Sequence, residues 1–274
     1  MSDFAIWYKM RFLPHANHPW QDLLSPNPKL VSVRTLAVFR VLSGMFILLN
    51  VAWAVSGILP ASGGQEMPVH HVYLAYGTNL SATINLTYFL VAGYLTVAAG
   101  IKSKNISIRV QRVLHMFYEM ALSISLLVLI MFWCVVFFPV LRLYGDLGIS
   151  ITAGICYKNI CEHALFGLLM GVDYLITLST IYPPHYFFSV LILTIYFIFN
   201  YISLSIVGKA VYPGMTYQNL YTYVIIFGSY IALAIIFAAL YKLGQHKRTP
   251  LNRGPNDPIP AEVQLEKIAP SFEP

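Results

Sequence analysis

The sequence predicts an all-α polytopic membrane protein, a six-helix transmembrane bundle with cytosolic N- and C-termini. Three observations carry that prediction. The 274 residues are 58% hydrophobic and only 10% charged, with a mean hydropathy of +0.67, whereas soluble domains carry about 25% charged residues. Six unbroken apolar runs each approach the roughly 20 residues needed to cross a bilayer. Of the 17 Lys and Arg, 13 fall before the first run, between the second and third, and at or beyond the end of the sixth; three fall in the other connections, and Arg40 lies inside the first run. Positive charge marks the cytosolic side. The composition excludes a water-soluble globular protein, and the unbroken runs exclude a transmembrane barrel, whose strands alternate.

The runs cover about 36–59, 82–101, 113–140, 160–181, 187–208 and 220–243. Together they define a transmembrane domain over 36–243. Residues 1–35 read as a cytosolic or interfacial segment, with Trp7, Tyr8, Phe12 and Trp20 set among basic residues and no apolar stretch typical of a cleavable leader. Residues 244–274 contain six prolines and no apolar periodicity, which predicts a disordered cytosolic tail. The net charge of +6 thus reports topology, and no nucleic-acid partner is expected.

Three cysteines exclude a disulfide scaffold. Cys156 and Cys161 fall in the third loop on the outer side, where a disulfide and two free thiols are equally compatible with the sequence; Cys134 reads as a buried thiol. His70 and His71 lie together without a further ligand at metal spacing, so neither a metal nor any other cofactor is expected. Asn79-Leu-Ser81 fits a glycosylation sequon near the outer surface.

Ionisable residues inside a membrane are functional candidates by default, because each costs a few kcal/mol or more to bury there. Odd-numbered runs rise from the cytosol and even-numbered runs descend, so depth follows from sequence. Arg40, His115, Glu119 and Asp173 all fall in the cytosolic leaflet, and His115 and Glu119 share a helix face. They read either as an ion-paired knot that fixes helix packing or as a proton relay or anion site. Asn85, Thr87 and His163 fall near the opposite surface. A Thr hydroxyl becomes a nucleophile when a base takes its proton, and imidazole is suited to that task. Asp173, ten residues from His163 and so about 15 Å along a helix, is too far to complete a triad.

Three segments together resemble a known family: NLTYFLVAGYL at 85–95, HALFGLLMGVDYLI at 163–176 followed by Tyr182-Pro183, and AVYP at 210–213. Over roughly 36–243 the chain looks like the androgen-induced and androgen-dependent multi-pass membrane hydrolases, with the related rolling stone group. The resemblance implies hydrolysis of lipid esters, such as fatty-acid esters of hydroxy fatty acids, by a Thr nucleophile and a His base without a usual triad. By position these roles fall to Thr87 and His163, with Asn85 a candidate for the oxyanion or for orientation. Membrane lipids and a lipid ester would be the partners, in the endoplasmic reticulum or the plasma membrane. Asp173 stands where the hydrolase branch carries Glu and is nearer the rolling stone pattern, and the Gly-Gly-Arg-Trp stretch before the hydrolase Thr is absent. The alternative is therefore a non-enzymatic, rolling-stone-like protein for cell fusion, adhesion or complex assembly. A proton-coupled carrier built on the charged cluster fits less well, because there is no internal repeat.

Overall fold

The computed structural model describes residues 23–27, 29–55, 77–102, 104–146, 157, 159–208 and 215–248. Trp7, Tyr8, Phe12, Trp20, His70, His71, Cys156, the 210–213 motif and the segment 249–274 lie outside the described residues.

The described residues form six helical rods, which we number in chain order. α1 is Val33–Val55. α2 is Gly77–Thr96, continued by a π-helical turn at Val97–Ile101. α3 runs Ile108–Met131, passes through a π-helical turn at Phe132–Val136 and ends as Phe137–Asp146. α4 carries a π-helical turn at Cys161–Leu165 and continues as Phe166–Ile176. α5 is a 3-10 turn, Pro183–His185, leading into Tyr186–Val207, and α6 is Leu220–Arg248. The all-α polytopic prediction holds. Among the described residues, five helices are long and apolar enough to cross a membrane: Val33–Trp53, Gly77–Ile101, Ile108–Val136, Pro183–Ile206 and Leu220–Lys247.

The fourth run departs from its predicted span of 160–181. Residues 157, 159 and 160 are already helical ahead of its π-helical turn, and its α segment ends at Ile176, short of the predicted end at 181. The helix stops because Thr177 turns extended (φ −98°, ψ 162°). Residues 25–27 then pair with the chain that follows: Asn27 N donates to Ile176 O at 2.7 Å and Leu178 N to Ser25 O at 3.2 Å. Within the N-terminal segment, Leu23 and Leu24 are buried against the bundle. Residues 244–248, assigned to the tail from sequence, are the last turns of α6.

Consecutive helices that pack together run antiparallel. Gly44 of α1 lies against Leu90 of α2, Gly93 against Val41 and Gly100 against Val33. Tyr88 of α2 meets Tyr118 of α3, and Ser81 bonds Ser125 further along at 3.1 Å. Thr194 of α5 bonds Tyr230 of α6 at 2.8 Å, while Tyr186 meets Phe237. Phe227, Ile231 and Ile235 are exposed at four-residue spacing along α6, a stripe suited to lipid. Lipid gives little hydrophobic drive for helices to associate, so close backbone approach and interhelical hydrogen bonds hold the bundle. Ser123 and Ser189 supply one such bond, joining α3 to α5 at 2.9 Å.

Gly167 marks a tight contact of α4 with α3, where a Cβ would lie 3.0 Å from the Ser125 carbonyl oxygen. Gly167→Leu is expected to destabilise the bundle by about 1–3 kcal/mol through overpacking. Gly171→Ala, with nothing within 4 Å of its Cβ, should be silent. Thermal unfolding in detergent checks both.

Candidate functional site

A narrow cavity of about 90 Å³ lies among α2, α3, α4, α5 and α6, at the end of the bundle where α2, α4 and α6 begin. Its walls are mostly apolar, from Ile124, Leu127, Met131, Phe132, Leu193, Phe197 and Ile225. Thr78 and His163 also line it. Thr78 stands in the first turn of α2 and His163 within the π-helical turn of α4, and both are buried. The His163 imidazole stacks on the Phe132 ring, with centroids 3.4 Å apart and planes within 1° of parallel. Phe132 in turn belongs to the π-helical turn of α3. Such turns insert an extra residue, re-aim the side chains around them and recur at functional sites. Here two of them meet at one stacked pair.

Tyr217, in the connection from α5 to α6, donates to Asn200 Oδ1 at 3.0 Å and holds that connection against α5. Burial pushes its phenol up to about 12, so it stays a donor at neutral pH. The α5 end is closed by Gly208, whose φ of 71° is the left-handed conformation that glycine adopts freely.

The structure does not bring Thr87 to His163. Thr87 is exposed, its hydroxyl donates to Thr83 O of its own helix at 2.9 Å, and it is not part of the cavity wall. Thr78 and Thr87 are nine residues apart, which is half a turn around the helix and about 13.5 Å along it. The threonine that shares a cavity with His163 is Thr78, which precedes the predicted start of that run. Asn85 is buried but accepts from Ser125 Oγ at 2.8 Å, away from the cavity wall, so an oxyanion role for it is not supported. Asn79 and Ser81 lie inside α2, with Ser81 buried. Cys161 is a buried free thiol, and Cys134 is exposed rather than buried.

The intramembrane charges form two clusters rather than one. In the first, Arg40 Nε donates to Asp173 Oδ1 at 2.8 Å and Nη2 to Oδ2 at 3.0 Å. Arg40 also donates to Thr96 Oγ1 at 2.7 Å and to Leu23 O at 2.8 Å, and the Tyr88 hydroxyl donates to Asp173 Oδ2 at 2.5 Å. This bidentate, fully buried pair ties α1, α2, α4 and the N-terminal segment together. In the second, Glu119 accepts from the Tyr182 backbone N–H and is bonded to His185 Nδ1, while His115 Nδ1 lies 3.7 Å from Glu119 Oε1. The sequence does not single out His185, because it precedes the predicted fifth run and lies 66 residues from Glu119.

Comparison of the chain with family models, curated proteins and solved structures finds no match.

Proposed function

We propose that this integral membrane protein hydrolyses lipid esters, with Thr78 as nucleophile and His163 as base. The observation that carries the reading is that Thr78 and His163 line one mostly apolar, partly open cavity, whose walls suit the part of an acyl chain next to an ester. The resemblance to the membrane threonine hydrolases supports the His163 role and a Thr nucleophile, although its motif places that nucleophile at Thr87; the choice of Thr78 rests on the cavity. With the termini cytosolic, as the positive-inside distribution favours, the cavity faces the outer or lumenal leaflet.

In the proposed reaction His163 takes the Thr78 hydroxyl proton as Oγ1 bonds to the ester carbonyl carbon. The carbon–oxygen ester bond then breaks, and the proton on His163 passes to the departing alkoxide. Water, deprotonated by His163, attacks the acyl-Thr78 ester; the acyl–Oγ1 bond breaks, the fatty acid leaves and His163 returns the proton to Thr78 Oγ1. The test is release of fatty acid from a fatty-acid ester of a hydroxy fatty acid by the purified full chain in detergent. Turnover by wild type and by Thr87→Ala, and its loss in Thr78→Ala, is the expected result. Equal turnover in all three would remove Thr78 from the chemistry.

A further inference from the structure

His115, Glu119 and His185 form a group that the proposed hydrolysis does not use. One potential ligand atom from each lies within 4.8 Å of the others, and all three side chains are buried. His115 and Glu119 sit four residues apart on one face of α3. His185 comes from the 3-10 turn that starts α5, and its approach is fixed by the Pro183-Pro184 pair and by its own backbone N–H, which donates to Tyr182 O at 2.9 Å. The Tyr182 N–H in turn donates to Glu119 Oε1, orienting the carboxylate from behind.

We propose that these three residues bind a divalent first-row transition metal, zinc in the first instance. Two imidazoles and one carboxylate are a donor set that zinc sites use, and imidazole favours such metals over magnesium or calcium. Tetrahedral bonds of about 2.0–2.2 Å would set the donors about 3.4 Å apart, so the metal would enter by opening the Glu119–His185 hydrogen bond and drawing His115 in. Charge favours the same ligand. Arg40 directs its donors to Asp173, Thr96, Tyr88 and Leu23 O, so the groups that face Glu119 are His115 and His185, and a bound cation would neutralise the carboxylate while both imidazoles stay neutral ligands. The Tyr182 N–H supplies the outer hydrogen bond that commonly orients a ligating carboxylate. The metal would fasten α3 to the turn between α4 and α5. Glu119 lies about 20 Å along α3 from Phe132 and its stacked His163, and the inference is independent of the proposed hydrolysis.

The test is titration of chelator-washed, untagged full chain in detergent with Co²⁺, whose visible absorption reports its ligands, followed by displacement with Zn²⁺. The expected result is about one Co²⁺ per chain with a visible band that Zn²⁺ abolishes, and loss of that band in Glu119→Gln and His185→Asn. Zn²⁺ should also raise the melting temperature of wild type and not of the variants. Should His185→Asn fail to give a monodisperse protein, His115→Gln reads the same ligand set. No band in folded wild type, or a band that persists in a folded variant, would overturn the proposal.

Discussion

Asp173→Asn is expected to lower the stability of the bundle by about 3–5 kcal/mol, the cost of leaving one charge of a buried pair uncompensated. Arg40 and Asp173 are both 0% exposed and meet through two hydrogen bonds. The substitution keeps the shape of the side chain and removes its charge, so Arg40 is left buried beside a neutral amide. Arg40→Met should cost as much for the opposite reason. The double variant Arg40→Met/Asp173→Asn removes both charges and should lose less than the sum of the two single losses. Thermal unfolding in detergent of the four proteins gives the coupling. Strictly additive losses would mean that the pair does not act as a unit.

Thr78→Ala and His163→Ala are each expected to reduce ester hydrolysis by about 10²–10⁴-fold, the range for losing a nucleophile's base or the group it activates. Because the two act in one proton transfer, the double variant should be little worse than either single one. Thr87→Ala should retain wild-type turnover, since the Thr87 hydroxyl is exposed and bonded to Thr83 O. Rates measured on one lipid ester, at equal amounts of monodisperse protein, check all four variants.

The helices and the depth of the buried charges were legible in the sequence because both follow from hydropathy. Arg40 and Asp173 are expected at one level, and the structure pairs them. Lateral position was not legible. His115 and Glu119 share the same leaflet in the sequence, yet they turn toward His185, and the depth of a residue says nothing of which neighbour its helix face meets. Thr78 escapes a hydropathy reading because polar Thr78, Asn79 and Ser81 precede the apolar run, which puts the start of the second helix at 82 rather than Gly77. The π-helical turns carry no apolar signature of their own, so the meeting of His163 with Phe132 does not follow from a regular helical period. Composition makes residues 23–27 interfacial, but their backbone groups pair with the chain after α4, a long-range contact that no local pattern announces.

The most direct measurement is labelling of the purified full chain by a fluorophosphonate probe, with the modified residue mapped by peptide mass spectrometry. The account predicts modification at Thr78, lost in Thr78→Ala and His163→Ala and retained in Thr87→Ala. A folded wild type that takes up no probe, or modification mapped to Thr87, would contradict it.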